Sequence, residues 1–184
     1  MKRAFDIAAS VSALFLLSPL LAMVSFLVFF DDGAPVVFKQ DRVGKNNEIF
    51  KIYKFRTMRR ETKNTAQSEM RNEDCLTRSG KFLRSLSLDE LPQLLNILAG
   101  QMRFVGPRPL IPEETEIRAL RLAAGVYAVP PGLTGWAQVN GRATVSDEAK
   151  VALDREYIAK QSFWFDMKIL VMTAGQVITS KNVE

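Results

Sequence analysis

Two adjacent carboxylates and an arginine enclosed by prolines occur together in the segment RSLSLDELPQLLNILAGQMRFVGPRPL, residues 84–110. The carboxylates are Asp89 and Glu90, residue types that serve as nucleophiles, acids, bases and metal ligands. The two prolines beside Arg108 restrict its backbone, and a stiffly held guanidinium suits a bidentate oxyanion. Taken singly, an Asp-Glu pair after a serine is usually a helix cap, and Pro-Arg-Pro is usually a rigid turn. Their combination leads us to interpret this segment as the active site.

The same residues predict a short helix. Ser87 and Asp89 are favourable N-cap residues and Pro92 is tolerated in a first turn, so we expect a helix from about Asp89 to Ala99. Gly100 is expected to end it. Both carboxylates would then lie beside free backbone N–H groups at the positive end of the helix dipole, a place that also attracts phosphate.

Composition limits the chemistry that is available. The chain has 184 residues, 47% of them hydrophobic, which fits one domain with a substantial core. A net charge of +5 favours anionic partners: nucleic acid, phosphorylated metabolites or a membrane surface. Histidine is absent, which excludes serine–histidine and cysteine–histidine nucleophile pairs and leaves carboxylates with oxygen-preferring cations. Cys75 is the only cysteine, so no internal disulfide can form, and we treat it as a bystander.

An apolar run near the N-terminus predicts contact with a membrane. Ile7 to Phe30 is 24 residues without a charge, about 36 Å as a helix against about 30 Å of hydrocarbon in a bilayer. A single-pass anchor is the simplest alternative, whereas a signal peptide is too short to match it. Ser18-Pro19 breaks the run into two arms of about 18 Å and should free the carbonyl of Phe15. Because basic residues flank both ends, we predict a re-entrant segment, residues 1–33, that enters and leaves on the cytoplasmic side.

A basic hairpin is predicted after this run. Val36–Gln40 and Ile49–Met58 are rich in β-branched and aromatic residues, and Gly44-Lys45-Asn46-Asn47 between them is typical of a turn. Between positions 39 and 63 there are nine Lys or Arg against three acids, so one face should be strongly positive. It could be a solvated strand face or bind lipid headgroups or substrate phosphates. Nucleic acid is disfavoured because few aromatics are interleaved and no binding motif is present.

The remaining segments are predicted mainly from their helical composition. Residues 61–79 are polar and are expected to form a mobile loop, followed by the active-site helix. Helices are predicted at Glu113–Ala124, ended by Gly125, at 146–160 and at Phe163–Ile178. The composition of the last helix fits either a helix that lies in the membrane interface or a buried core helix.

The stretch PPGLTGWAQVNGR, residues 130–142, is predicted to be irregular. Its Trp136 and Arg142 could stack on a base or bind phosphate; a turn packed over the core is the equal alternative. Altogether we expect a mostly helical α+β protein, with residues 34–184 as one catalytic unit on the cytoplasmic face.

Several motifs along the chain carry a family resemblance. They are Ser18-Pro19, YKFRTM at 53–58, SLSLDELPQ at 85–93, VGPRP at 105–109 and PGLTGWAQVNGR at 131–142. With them the sequence resembles the small monotopic phosphoglycosyl transferases of the bacterial sugar transferase family. The single apolar run is similar to that of the compact members, and the short segment after Ile178 suggests a reduced C-terminal element. Gln101 stands where relatives often have an acid, so no extra carboxylate is expected there.

The resemblance implies roles for individual residues. Asp89 would be the nucleophile, Glu90 would hold Mg²⁺, and Arg84 and Arg108 would contact phosphate. Arg142 is a further candidate substrate phosphate ligand, on its residue type and its place in the irregular stretch and not on the resemblance. The implied reaction transfers a sugar-1-phosphate from a UDP-sugar to polyprenyl (undecaprenyl) phosphate through a phosphosugar–aspartyl intermediate, releasing UMP. It would take place at the cytoplasmic face of the bacterial inner membrane, as the first membrane step of glycoconjugate assembly.

Two other classes of function fit parts of the sequence. A membrane-anchored module that binds anionic lipid or nucleic acid would use the basic hairpin but not Asp89 and Glu90. A metal-dependent lipid pyrophosphatase would use the carboxylates but would release inorganic phosphate instead of UMP.

Overall fold

The computed structural model describes residues 2–59, 75–140 and 145–178, and this part of the chain contains eight α-helices and four short strands. In chain order they are α1 Lys2–Leu16, α2 Ser18–Asp32, β1 Val37–Val43, β2 Ile49–Phe55, α3 Arg78–Ser85, α4 Gln93–Ala99, β3 Arg103–Val105, α5 Thr115–Ala123, β4 Gly132–Thr134, α6 Trp136–Asn140, α7 Asp147–Lys160 and α8 Phe163–Ile178. The expected mostly helical α+β class is confirmed.

The apolar run is broken where the sequence predicts. Helices α1 and α2 meet at Leu17 with a bend of 63°, and the Ser18 hydroxyl donates to the carbonyl of Phe15 at 2.7 Å. This bond replaces the backbone donor that Pro19 lacks. Within the described residues no single helix is long and apolar enough to cross a bilayer, although the bent pair together reaches that length and composition.

The helix pair packs on the rest of the protein through one side. Val24 and Val28 of α2 form a buried cluster with Phe55 of β2 and Leu83 of α3, while α1 packs against α4. The opposite side carries exposed apolar side chains: Ile7, Val11, Phe15, Leu16, Met23, Phe26, Leu27, Phe29 and Phe30. The pair therefore presents an apolar surface around its bend.

Polar contacts fasten both outer ends of the helix pair to the same body. At the start of α1, Arg3 donates to the carbonyls of Ile97 at 2.6 Å and Leu98 at 2.8 Å. At the end of α2, the Asp31 carboxylate accepts from the backbone N–H of Ser79 at 2.8 Å and from its hydroxyl at 2.6 Å. These hydrogen bonds hold both ends of the bent pair against the rest of the protein.

The predicted β-hairpin is present, with a longer first strand than expected. β1 and β2 are antiparallel from Val37 opposite Phe55 to Val43 opposite Ile49. Two of the basic residues counted in the basic run do not lie on an exposed face. Arg42 is 6% exposed and Arg56 7% exposed, because tertiary contacts draw both guanidiniums inward. Arg56 pairs with the Asp32 carboxylate at 3.1 Å, which ties the end of α2 to the hairpin.

The polar segment that was expected to be a loop ends earlier than predicted. Helix α3 begins at Arg78, because Thr77 is its N-cap and the Thr77 hydroxyl accepts from the N–H of Gly80 at 2.9 Å. Residues 61–74 of that segment lie outside the described residues.

A second, parallel strand pair was not predicted. β3 and β4 pair through Arg103 with Gly132 and Val105 with Thr134. Helix α6 follows, so residues 130–140 are more regular than expected. Trp136 donates to Glu156 at 2.9 Å and lies 4.9 Å from the ring of Phe165, as in the alternative of a segment packed over the core.

The helices predicted after residue 110 are confirmed as α5, α7 and α8. Gly125 follows α5 with a left-handed φ of 70°. Ser146 caps α7 by accepting from the N–H of Ala149. In α8, Ile169 is fully buried while Trp164 is 79% exposed, so this helix has one face in the core and one outside it.

Candidate active site

The two candidate carboxylates lie on a tight turn that precedes the helix. Residues Leu88–Glu90 form a 3₁₀ turn, entered through Ser87 with a left-handed φ of 55°. Helix α4 begins only at Gln93, so the expected start at Asp89 is wrong: the left-handed Ser87 cannot cap a helix there, and the turn is closed by shorter hydrogen-bonded rings. The predicted end is confirmed, because Gly100 is left-handed at φ 86°.

A buried asparagine fixes α4 against the hairpin. The Asn96 side chain is fully buried; its Oδ1 accepts from the N–H of Tyr53 at 3.0 Å and its Nδ2 donates to the carbonyl of Lys51 at 2.7 Å. It therefore binds backbone groups on the edge of β2 that β1 does not use. This contact sets the position of the 3₁₀ turn relative to the strand.

The hairpin supplies a lysine to the carboxylates. Ile52 and Lys54 are two residues apart and so share one face of β2, where Ile52 packs with Leu94 and Ile97 of α4. Lys54 lies on the same face, next to the 3₁₀ turn, and its Nζ lies 2.7 Å from Oε1 of Glu90.

The electrostatic surroundings favour an ionised Glu90. Burial opposes its ionisation, but the positive charges of Lys54 and Arg108, with hydrogen bonds from Lys54 and Gln93, outweigh burial and hold its pKa below the usual range. Glu90 is thus held as an anion between a lysine and an arginine.

Asp89 is in a different environment, although it is the adjacent residue. It is 8% exposed, and burial raises its pKa; the charge of Glu90 acts in the same direction, while Lys54 and Arg84 oppose it. A poorly hydrated carboxylate is a stronger nucleophile than one in water, and the two nearby cations favour its ionised form. The adjacent carboxyls therefore have pKa values pushed in opposite directions, an arrangement typical of active sites.

Arg84 reaches the carboxylates from α3. A Cβ at Gly80 would collide with the carbonyl of Thr57, so only glycine allows α3 to lie this close to the end of β2. One turn later, Nε of Arg84 donates to the Thr57 hydroxyl at 3.0 Å. The contact fixes the guanidinium at a position from which its charge lowers the pKa of Asp89.

Arg108 lies in a loop whose backbone carbonyls are held by hydrogen bonds. Four successive carbonyls, of residues 107–110, each accept a hydrogen bond from a different part of the chain. The donors in order are the N–H of Gly132 at 2.9 Å, the guanidinium of Arg121 at 2.6 Å, the guanidinium of Arg42 at 3.1 Å and the N–H of Val43 at 2.8 Å. The Arg108 side chain itself is exposed, on the side where its charge acts on Glu90.

The structure thus brings together Asp89, Glu90, Arg84 and Arg108, so that the charges of the two arginines act on the carboxyl pair. The roles assigned to the four residues stay predictions. Arg142 lies outside the described residues, so its predicted phosphate contact stays a prediction. Ser18 and Pro19 form the helix break, away from this site.

Two residues near the site were not assigned roles from sequence. Lys54 was counted in the basic run and in the YKFRTM motif but was given no role. Its position two residues after the buried Ile52 could have placed it on the face of β2 that meets α4. Arg42 gave no such indication, because its buried partners lie far along the chain. Burial and the positive charge of Arg108 lower the pKa of Arg42 to about 10.

The donor set suits a hard cation that is shared with a substrate. Among residues 2–59, 75–140 and 145–178, no group of three or more acidic, histidine or cysteine side chains could enclose a metal ion. Asp89 and Glu90 are nevertheless carboxylates, and Lys54 engages only one oxygen of Glu90. Mg²⁺ is commonly bound by one or two carboxylates together with substrate phosphates and water. The site fits that mode.

Comparison with known proteins identifies relatives along the whole chain. A sequence profile described as Bacterial sugar transferase matches residues 1–180. An undecaprenyl-phosphate glucose phosphotransferase of Komagataeibacter xylinus is 41% identical over 193 residues, covering 98% of this chain but 36% of that protein. The uncharacterized sugar transferase EpsL of Bacillus subtilis (strain 168) is 42% identical over 188 residues, covering 100% of this chain and 90% of its own length.

A third relative has a similar pattern of coverage. The UDP-glucose:undecaprenyl-phosphate glucose-1-phosphate transferase of Escherichia coli (strain K12) is 38% identical over 190 residues, covering 98% of this chain and 41% of that protein. The match therefore spans helices α1 and α2, the 3₁₀ turn with its two carboxylates, and the Arg108 loop. On the extent of these matches, the chain belongs to the bacterial sugar transferase family.

Proposed function

We propose that this protein is a phosphoglycosyl transferase that moves a sugar-1-phosphate from a UDP-sugar to undecaprenyl phosphate. The observation that carries the proposal is the buried Asp89 beside an ionised Glu90, with Lys54, Arg84 and Arg108 around them. Three cations beside two carboxylates suit a diphosphate, whose charge they can offset, while one carboxylate remains free to react. The names of two relatives specify undecaprenyl-phosphate sugar transfer, which fits this chemistry.

The first step assigns Asp89 as the nucleophile. Its carboxylate oxygen attacks the β-phosphorus of the UDP-sugar; an Asp–O–P bond forms, the P–O bond to UMP breaks, and UMP leaves with the electron pair. Arg84, beside Asp89, and Arg108, beside Glu90, would bind the phosphate oxygens on which charge builds. Burial of Asp89 keeps water from the acyl phosphate once it has formed.

The second step returns the carboxylate. A phosphate oxygen of undecaprenyl phosphate attacks the same phosphorus, a new P–O–P linkage forms, and the bond to Asp89 breaks. A carboxylate suits this role because its mixed anhydride with phosphate remains reactive. One set of phosphate ligands can then serve donor and acceptor in turn.

Mg²⁺ is proposed as the cofactor, with Glu90 as its protein ligand. When bound, it would neutralise charge on the phosphate oxygens. Gln93 and Lys54 keep Glu90 ionised and fixed in place, so the carboxylate is available as a ligand.

The proposed location is the cytoplasmic face of the bacterial inner membrane, with α1 and α2 re-entrant. The supporting observation is that Arg3, before the apolar run, and Asp31, after it, bind the same body. A spanning helix would separate those ends by the bilayer. The exposed apolar surface around the bend would lie among lipid acyl chains, near an acceptor that is itself a lipid.

The experiment is incubation of the purified protein with UDP-sugars, Mg²⁺ and undecaprenyl phosphate, with release of UMP measured. With donor alone, intact mass should increase by one phosphosugar, and Asp89→Asn should abolish both the adduct and turnover while the protein stays folded. Arg155→Ala, an exposed change on α7, serves as control. Inorganic phosphate in place of UMP would indicate a lipid pyrophosphatase, and turnover by Asp89→Asn would refute the covalent mechanism.

A further inference from the structure

A buried ion pair lies next to the Arg108 loop. Arg121 of α5 is 3% exposed and Asp154 of α7 is 1% exposed, and their closest nitrogen and oxygen are 2.6 Å apart. Removing two charges from water is costly, and apolar residues of similar volume often stabilise a protein at least as well as such a pair. Stability alone is therefore a weak reason for placing this pair in the core.

The guanidinium of Arg121 binds two partners with two different nitrogens. Nη2 pairs with the Asp154 carboxylate, while Nη1 donates to the carbonyl of Arg108 at 2.6 Å. The carboxylate fixes the orientation of the planar guanidinium, and that orientation fixes the point at which the loop carbonyl is held. Arg121 therefore binds the backbone of Arg108, the residue whose positive charge acts on Glu90.

The position of that carbonyl determines where the Arg108 side chain can reach. Arg108 lies between Pro107 and Pro109, which restrict the backbone torsions on both sides, so the residue has few ways to compensate for a displaced carbonyl. A carbonyl and the Cα of its own residue are joined by one bond. Holding the carbonyl in place therefore restricts the directions that the Arg108 side chain can take.

We infer that Arg121, oriented by Asp154, is a positioning residue that aims the Arg108 side chain at the phosphate site formed with Asp89 and Glu90. The inference rests on the proposed function for the identity of the phosphate substrate. It deepens that proposal, because the two residues lie on helices α5 and α7, which carry none of the residues assigned to the reaction. The site therefore depends on two residues outside it that hold the backbone of Arg108.

The discriminating experiment is a double-mutant cycle. Arg121→Lys keeps a positive charge beside Asp154 but lacks the second nitrogen that holds the Arg108 carbonyl. It should lower kcat/KM for the UDP-sugar by about tenfold, in keeping with loss of one charge-assisted hydrogen bond. In an Arg108→Ala background the same change should cost less than about twofold, because the side chain that it positions is gone. Equal losses in both backgrounds would overturn the inference and indicate general destabilisation.

A matched control and a second variant guard against misfolding. Arg118→Lys is the same replacement on the same helix, but Arg118 donates to Asn47 in the hairpin turn instead of to the Arg108 loop, so activity should change by less than about twofold. The paired variant Arg121→Met/Asp154→Leu removes both buried charges and should fold. It should show the same loss as Arg121→Lys, and full activity in this variant would contradict a positioning role.

A structural readout separates this inference from the proposed function. Amide hydrogen exchange in a peptide that covers residues 106–112 should become faster in Arg121→Lys but not in Arg118→Lys. Unchanged exchange would show that Arg121 does not hold the loop, whatever the activity. If wild-type protein released no UMP, the proposed function would fall, while exchange would still decide whether the loop is held.

Discussion

The Lys54 ammonium lies 2.7 Å from the Glu90 carboxylate, across the gap between β2 and the 3₁₀ turn that also carries Asp89. Removing the Lys54 charge should make both Asp89 and Glu90 harder to ionise, because this charge lowers the pKa of both carboxyls. Loss of a charge-assisted hydrogen bond costs about 1.5–3 kcal/mol, so Lys54→Met should lower kcat/KM for UMP release by about 10–150-fold. Lys51→Met, an exposed lysine on the other face of β2, is the matched control and should change activity little.

The pH dependence of turnover should reflect the carboxyl pair. Burial raises the pKa of Asp89, and a nucleophilic carboxylate must be ionised, so activity should fall as pH drops through a value above the ordinary aspartate range of about 3.9. Because Lys54 lowers the pKa of both carboxyls, Lys54→Met should move this acidic limb to higher pH. An acidic limb at the same pH in both proteins would contradict the electrostatic role assigned to Lys54.

The two arginines should contribute separately to phosphate binding. Arg84→Ala and Arg108→Ala should each cost about 10–150-fold in kcat/KM, and lysine should restore activity only in part, since it lacks the planar pair of donors. The measurement is steady-state kinetics with varied UDP-sugar. A loss in kcat/KM below about twofold is no larger than the spread of such values, and it would place the substituted arginine outside the phosphate site.

Metal dependence can be tested directly. If Glu90 binds a hard cation with the substrate phosphates, EDTA should remove activity and Mg²⁺ or Mn²⁺ should restore it. Glu90→Gln should then require more Mg²⁺ for half-maximal rate. Undiminished turnover in EDTA would exclude Glu90 as a metal ligand in the reaction.

Asn96 should matter for stability more than its size suggests. Asn96→Leu would leave the N–H of Tyr53 and the carbonyl of Lys51 buried without partners, at about 1–3 kcal/mol each. Denaturant unfolding in detergent should show a loss in that range or larger. Asn140→Ala is the control, because the Asn140 side chain is exposed and donates to the carbonyl of Trp136 in its own helix. Equal midpoints for both variants would show that the contact to β2 contributes nothing.

The re-entrant arrangement can be tested by cysteine accessibility in intact cells, on a Cys75→Ser background. Single cysteines near Lys2 and near Lys45 should both be protected from an impermeant thiol reagent until the cells are opened. Pro19→Leu should shift some molecules towards a spanning helix, because it restores a backbone donor at the bend. Labelling of only one position in intact cells would show that the wild-type chain crosses the bilayer.

Local features of the structure were accessible from sequence because local chemistry determines them. Pro19 lacks an N–H, Gly100 tolerates a left-handed backbone, and Ser146 is a good helix cap; each marks an element boundary that the structure confirms. The carboxylates and Arg108 were recognisable for a similar reason, since their residue types and close spacing limit the chemistry that they can perform.

Other features depend on contacts between distant residues. The strand pair β3–β4 joins three-residue segments whose register is set by long-range packing, so no alternation indicates it. The left-handed Ser87 is a conformation that serine seldom adopts, and it is held by its surroundings. Likewise, a charge count assigns Arg42 to the surface, whereas the carbonyl of Pro109 draws it into the interior.

The contacts of Arg3 also constrain the order of events during synthesis. Its acceptors at Ile97 and Leu98 are 94 and 95 residues further along the chain. At about 5–20 residues per second, the first helix leaves the ribosome roughly 5–20 seconds before its docking partner exists. During that interval the packing side of the helix pair has no folded protein to cover it. Any other surface that covers this side must therefore do so before the residues of the 3₁₀ turn have been synthesised.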